Sequence, residues 1–181
     1  MPNIFEMLSS AFNTIVDDEP KLQLNIIEAS YCWLYYGIVK ESIAFEEAGL
    51  NTTNDDELKG ILNDAVKMCS RQANQIEQFM RKEGVTLPPV SEPKPYSDQK
   101  DIPPGVKLTD EEITNGLAMK VLAMTTKSSL GAAECVRTDV GAMWVQFFNE
   151  AVIFGATLKT KMRKRGWAKL PPAYHPPGAR N

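Results

Sequence analysis

Apolar side chains recur at helical spacing along most of this chain. In one long segment they step alternately by four and three residues, which is the spacing of a seam between packed helices. The apolar members of this seam are Leu58, Leu62, Ala65, Cys69, Ile76 and Phe79, and Gln72 is its one polar member. Similar runs occur on both sides, so the pattern predicts an all-α protein.

Two of the predicted helices form a first hairpin over about residues 22–84. The first helix spans about 22–49, and its inner stripe is predicted to hold Leu24, Ile27, Tyr31, Leu34, Ile38, Phe45 and Ala48. The second helix begins at Asn54, which with Glu57 comes close to a capping box. Gly84 ends it, since glycine readily adopts the left-handed conformation past a helix end.

A second hairpin is predicted over about residues 109–166. Its first helix starts from a complete capping box, Thr109–Glu112, and runs to about Arg137. The other helix covers about 139–165, and two residues could cap its start, Thr138 or Asp139. Small residues in the earlier helix either allow close helix approach or leave room for aromatic side chains: Ser128, Ser129, Gly131, Ala132 and Ala133.

The segment between the hairpins, residues 84–108, is rich in proline and holds six of the twelve prolines. Proline fixes φ and removes a backbone donor, so we predict an extended strap that reaches roughly 75 Å at the polyproline rise. A bundle helix of this protein is only about 42 Å long. The strap is therefore predicted to cross back along the bundle, which makes the helices before and after it parallel.

An internal repeat supports this order. The segment Met80–Gly84 is echoed by Met162–Gly166, 82 residues later, and each is followed by a Leu-Pro-Pro exit. Moving the seam by 82 residues predicts the inner positions of the last helix: Val140, Trp144, Phe147, Ala151, Phe154, Leu158 and Lys161. Two similar hairpins joined by one long crossover give the up-down-down-up order of a ferritin-like four-helix bundle.

We therefore predict one ferritin-like helical bundle domain over residues 1–181. A short amphipathic helix over residues 3–15 is predicted to dock on the bundle, because its apolar residues have near-helical spacing. The tail, residues 167–181, is predicted to be extended.

Composition and charge narrow the function only slightly. The net charge of −3 gives no reason to expect nucleic acid or a membrane surface as partner, and no apolar run approaches the roughly 18 residues of a membrane span. The start of the chain lacks a signal-type segment, which favours a cytoplasmic protein. Cys32, Cys69 and Cys135 lie in helical apolar patterns without a CxxC motif, so we expect buried thiols in a reducing compartment.

Ferritin-like bundles often hold two metal ions through Glu and Glu-x-x-His ligands. This chain lacks that set: Tyr31 stands three residues after Glu28, Ile153 stands three after Glu150, and the one histidine, His175, lies in the tail. We therefore predict no catalytic residue, no cofactor and no metal ligand. For Glu28 and Glu150 two alternatives stay open, a partly buried acid bonded to Tyr or Gln, or the remnant of a metal or ligand site.

Four segments carry a family resemblance: KEGVTLPPVSEPKP, GVKLTDEEI, RTDVGAMW and LKTKMRKRGWAKLPPAYHPPG. Together they resemble an uncharacterised ferritin-like family of spore-forming bacilli, whose members are often called proteins of unknown function or "putative spore coat protein". The resemblance covers essentially the whole chain, and implies the bundle fold and a link to the spore, but no established reaction. Family members can carry a histidine three residues before the glutamate that Glu28 matches, whereas this chain has Asn25, which argues against an inherited metal site.

These observations favour a non-enzymatic structural or interaction protein associated with the spore coat. One alternative is a metal-binding ferritin-like protein, an oxidase or metal store, with a degenerate site. Another is a carrier of small apolar ligands, which would need a cavity among the small residues of the third helix.

The first helix also predicts self-association. Over residues 30–39 only Ser30 and Gly37 are not hydrophobic, so the helix has more apolar surface than one seam can bury. The surplus face, formed by Trp33, Tyr36 and Tyr35, needs a cover. The N-terminal helix, the strap or the tail would provide one, but a second copy is equally suitable, and we predict a homodimer through this helix.

Overall fold

The computed structural model describes residues 21–176, and four long helices within that range form a bundle. The helices are α1 (Ile26–Thr52), α2 (Asp56–Lys82), α3 (Asp110–Glu134) and α4 (Thr138–Arg165), with two short 3-10 helices in the strap at Gln99–Asp101 and Pro104–Val106. No strand occurs in the described range. The helix predicted over residues 3–15 and the last five residues of the tail lie outside the described residues.

Contacts at the two ends of the bundle fix the direction of each helix. The hydroxyl of Thr53, which separates α1 from α2, donates to the carboxylate of Asp110 at the start of α3 at 2.6 Å. At the opposite end, Arg137 before α4 pairs with Glu83 after α2 at 2.7 Å. The helices α2 and α3 therefore run parallel, and α1 and α4 run antiparallel to them. This confirms the predicted up-down-down-up bundle, with one long crossover.

The helices enclose a continuous apolar core in which each helix packs against two neighbours. Helix α1 contacts α2 and α3, while α4 contacts α3 and α2. An aromatic group fills one half of the core: the ring of Tyr35 stacks on Phe147 at 5.4 Å and meets Trp144 edge-on at 5.1 Å. A Cβ at Gly131 would lie 2.6 Å from the Trp144 indole, so this small residue of α3 makes room for the tryptophan.

The seams predicted for α2 and α4 are confirmed. In α2 every seam residue is buried except Phe79, which is half-buried. In α4, five of the seven positions moved by 82 residues are buried, while Phe154 is half-buried and Lys161 pairs with Glu57 at the surface. The repeat therefore reports a structural similarity between the second helices of the two hairpins.

The helix ends of the repeat are also equivalent. The N–H of Val85 donates to the carbonyl of Met80 at 2.8 Å, and the N–H of Trp167 donates to Met162 at 2.9 Å, again 82 residues apart. Between these pairs, Gly84 and Gly166 have positive φ values of 75° and 71°. A side chain would strain this conformation, which explains the glycine that the sequence places at each helix end.

The inner stripe predicted for α1 is wrong by one position. The buried side of α1 is formed by Glu28, Cys32, Tyr35, Val39, Ser42, Glu46 and Gly49, which again step by four and three. Ile27 and Leu34, which were predicted to lie inside, are 49% and 41% exposed. The apolar pattern misled because three members of the true seam are polar. As a result, α1 has a buried seam and a second, exposed apolar stripe.

Three predicted helix ends differ from the observed ones. Gly49 does not end α1 but lies within it, where an added Cβ would come to 3.2 Å from both Ile113 and Leu62. Asp55, rather than Asn54, is the N-cap of α2. Helix α3 ends at Glu134, three residues before the predicted end, because the chain turns extended at the next residue.

The strap crosses the bundle along α1, as predicted. Ser91, Lys94 and Ser97 bond in turn to side chains of Glu41, Glu47 and Asn51, so strap and α1 run in the same direction. The strap thereby returns the chain from the end of α2 to the start of α3.

Candidate functional site

Glu28 anchors the turn between α3 and α4. Its Oε1 accepts the backbone N–H groups of Val136 and Arg137 at 2.9 and 2.8 Å, and its Oε2 accepts the N–H of Asn25 at 3.1 Å. The side chain is fully buried. Because its partners are backbone groups, neither alternative predicted for Glu28 describes it. Its negative charge also lies at the positive end of the α4 dipole.

This anchor replaces an ordinary cap at the start of α4. The N-cap is Arg137, whose side chain makes no capping bond, and neither Thr138 nor Asp139 occupies the N-cap position as predicted. The side chain of Asn25 in turn caps α1, forming a capping box with Glu28. The asparagine that stands where relatives can carry histidine therefore has a structural role here.

Arg137 closes the same end of the bundle. Its guanidinium is nearly buried, forks onto both oxygens of Glu83 at 2.7 and 2.9 Å, and also bonds Asp139 at 2.9 Å. The hydrogen bonds from Arg137 hold the pKa values of the Glu83 and Asp139 carboxyl groups below their usual range, despite partial burial. The sequence gave no sign of this network, since its members are distant in the chain.

Glu150 is bonded to polar side chains between α2 and α4. It accepts from Gln72 at 2.8 Å, from Arg71 at 3.1 Å and from Gln146 at 3.2 Å. Gln72 accepts in turn from the buried hydroxyl of Tyr35 at 2.8 Å. Burial raises the pKa of the Glu150 carboxyl, but these hydrogen bonds lower it by more. Glu150 thus matches the predicted acid bonded to Gln.

Glu28 and Glu150 are not brought together. One lies at the turn between α3 and α4, and the other bonds side chains in the middle of α2. Within residues 21–176 no group of three or more His, Cys, Asp or Glu side chains is arranged to hold a metal ion. The absence of metal ligands stays a prediction.

A second buried acid, Glu46, was not singled out in the sequence. Its Oε1 lies 3.7 Å from the thiol of Cys69, and its Oε2 has no partner. Only 1% of Glu46 is exposed. Burial raises its pKa to about 8, against smaller opposing effects of Cys69 and of the charge of Lys120. Glu46 therefore holds a proton at neutral pH.

The exposed apolar stripe of α1 forms the floor of a groove of about 520 Å³ between α1, α3 and the strap. We call it the α1–α3 groove; its apolar lining is Trp33, Leu34, Gly37, Ile38, Met119, Ala123, Pro88 and Pro89. Trp33 is 42% exposed, as the predicted surplus face requires, but Tyr35 and Tyr36 are buried and belong to the core. The groove is the most apolar surface feature that combines residues from three elements.

Within residues 21–176 no helix combines the length and the apolar content that crossing a membrane requires. The helix order, the single crossover and the repeated hairpin ends define a four-helix bundle protein built from two related halves. The chain belongs to the DUF3231 family, a family of proteins of unknown function, which matches residues 14–179. This agrees with the resemblance seen in the sequence.

Known relatives share the fold at moderate identity. The uncharacterised protein YvdQ of Bacillus subtilis (strain 168) is 28% identical over 158 residues, covering 87% of this chain and 91% of its own. The crystal structure of a "putative spore coat protein" from Bacillus halodurans C-125 has a TM-score of 0.81 and 28% identity, covering 88% of this chain and 98% of its own. A conserved hypothetical protein of Mycobacterium tuberculosis is similar in fold alone, with a TM-score of 0.52, 11% identity, and coverage of 92% and 99%.

Proposed function

We propose that the protein is a non-enzymatic structural or interaction protein of the spore coat that forms a homodimer through the α1–α3 groove. The observation that carries the proposal is the exposed Trp33 beside an open groove on the same face of α1. The spore-coat part is supported by the description of the Bacillus halodurans protein.

The groove suits a second copy because it combines a projecting and a receding feature. Trp33 projects, while Gly37, one turn further along α1, leaves the floor open: an added Cβ there would meet nothing within 4 Å. In a twofold dimer the same surface contacts itself, so Trp33 of each copy can enter the hollow above Gly37 of the other. Tryptophan and methionine are enriched at the centres of such interfaces.

The other functions have less support among the described residues. A carrier was predicted to need a cavity among the small residues of α3, but the Trp144 indole occupies the space at Gly131. A metal store or oxidase would need ligands at Glu28 or Glu150, whose oxygens are bonded to protein donors.

Replacing Trp33 by glutamate is expected to turn the dimer into a monomer. Light scattering at micromolar concentration should give twice 20.1 kDa for the natural protein and 20.1 kDa for Trp33→Glu. The helical circular dichroism signal should not change, because the side chain is 42% exposed. The matched control is Ile153→Glu on α4, which puts the same charge at a residue that is 68% exposed and should leave the dimer intact.

A natural protein that is strictly monomeric would refute the dimer. If it became dimeric after deletion of residues 1–20, the groove would belong to that segment rather than to a second copy. Loss of helicity in Trp33→Glu would show that Trp33 supports the core.

A methyl group at Gly37 is expected to weaken the dimer without harming the monomer. Alanine stabilises a helix interior by about 0.8–1 kcal/mol relative to glycine, and nothing in the monomer obstructs the added atom. Gly60→Ala in α2 is the matched control, since a Cβ there is equally unobstructed and lies outside the groove lining. Equal dimer affinity of the two variants would contradict contact at Gly37. Affinity should be measured by sedimentation equilibrium.

A further inference from the structure

One residue of α1 holds the strap with both oxygens of its carboxylate. Glu41 Oε1 accepts the backbone N–H of Ser91, and Oε2 accepts the hydroxyl of the same serine, each at 2.8 Å. A carboxylate that accepts two donors from one residue forms a stronger and more directional contact than a single neutral hydrogen bond.

This contact divides the strap into a packed and an exposed part. Before Ser91, the side chains of Val85, Leu87 and Val90 pack against the core. From residue 91 to residue 96 every strap residue is exposed, and the remaining bonds to α1 are made by Glu47 and Asn51. Release of Ser91 therefore frees the boundary between the two parts.

The same contact lies beside the α1–α3 groove. Pro88 and Pro89, two and three residues before Ser91, line the groove, and so does Glu41 itself. From the opposite side, Lys120 of α3 also lines the groove and donates to the backbone carbonyl of Glu41 at 3.2 Å. The position of the proline wall thus depends on the bond between Glu41 and Ser91.

We propose that the Glu41–Ser91 contact is a latch that regulates self-association. With the latch closed, the strap forms one wall of the groove and completes the dimer surface; with the latch open, the wall moves away and the dimer weakens. A negative charge at residue 91 opens it, because that charge faces the Glu41 carboxylate. This inference rests on the proposed function, since it concerns the regulation of the same groove.

Three variants test the latch through two independent measurements. Ser91→Glu should raise the dimer dissociation constant at least tenfold and should speed hydrogen exchange of the amide at residue 91. Ser91→Ala keeps the backbone bond and loses only the hydroxyl bond, so its effects should be smaller in both measurements. Ser97→Glu is the control: it adds the same charge to the strap, but its backbone N–H is held by the neutral side chain of Asn51. It should leave both quantities unchanged.

The outcomes separate the latch from the groove. If Trp33→Glu dissociates the dimer while Ser91→Glu speeds exchange without changing the dissociation constant, the latch is overturned and the groove stands. Unchanged exchange in Ser91→Glu would show that the contact does not hold the strap, which also overturns the latch. If Trp33→Glu leaves the dimer intact, the groove itself is wrongly assigned.

Discussion

Replacing Glu28 by alanine is expected to destabilise the protein by about 4 kcal/mol, near the upper end for a single substitution. The carboxylate accepts three backbone N–H groups, two of them in the turn between α3 and α4. Hydrogen bonds to a charged group each contribute about 1.5–3 kcal/mol, and removal leaves part-buried donors unpaired. The turn has no other side-chain cap, because the side chain of Arg137 makes no capping bond.

Urea unfolding followed by circular dichroism measures this loss. Glu28→Gln should be intermediate, since its carbonyl oxygen can still accept from the turn while its NH2 group faces the N–H of Asn25, which is also a donor. The matched control is Glu134→Ala at the end of α3, which removes only an exposed bond to Tyr31. A loss of about 1 kcal/mol or less in Glu28→Ala would show that water takes over the role of the carboxylate.

Most of the bundle follows from local signals in the sequence. The capping box at Thr109, the two glycines that end α2 and α4, and the length of the strap each act within a few residues, so the pattern alone reports them. The seam of α2 was predicted correctly because six of its seven members are apolar. The repeat then carried that seam onto α4.

The seam of α1 could not be found in the same way. Glu28, Ser42 and Glu46 occupy core positions, while apolar Ile27 and Leu34 face outward. Burial of Glu28 is stabilised by backbone donors more than 100 residues away, which no local pattern reveals. The step of four and three residues through these polar positions was the available signal.

The predicted candidate residues fared unevenly for the same reason. The partner of Glu150 is Gln72, the polar member of the α2 seam, so the sequence did point to a buried acid bonded to glutamine. For Glu28 the sequence suggested a side-chain partner, but the partners are backbone groups, which are the same in every sequence. Trp33 was found because nothing within its own helix could bury it.

Replacing Glu46 by glutamine is expected to make the protein more stable by about 4 kcal/mol at pH 8.5, with little change at pH 5. Burial raises the pKa of this carboxyl from 4.5 to about 8. Between these values the folded protein keeps a proton that the unfolded chain releases. Stability of the natural protein therefore falls as pH rises through this window, by up to about 1.4 kcal/mol per pH unit for this group.

Glutamine preserves the volume of the side chain and an oxygen that can accept from the Cys69 thiol, but it cannot ionise. The free energy of unfolding should be measured in urea at intervals from pH 5 to pH 8.5 for both proteins. The groups around residue 46 do not interfere: burial raises the pKa of Cys69 well above 9, and Lys120, whose pKa burial lowers from 10.5, is common to both proteins.

The neighbouring residue supplies the control for this measurement. Glu47 accepts the backbone N–H of Lys94 at the surface, so Glu47→Gln removes a charge at almost the same place without removing a buried acid. Its stability should follow the pH dependence of the natural protein above pH 5. If Glu46→Gln follows it as well, Glu46 is already ionised in the folded protein, and a partner for its Oε2 must exist within the bundle.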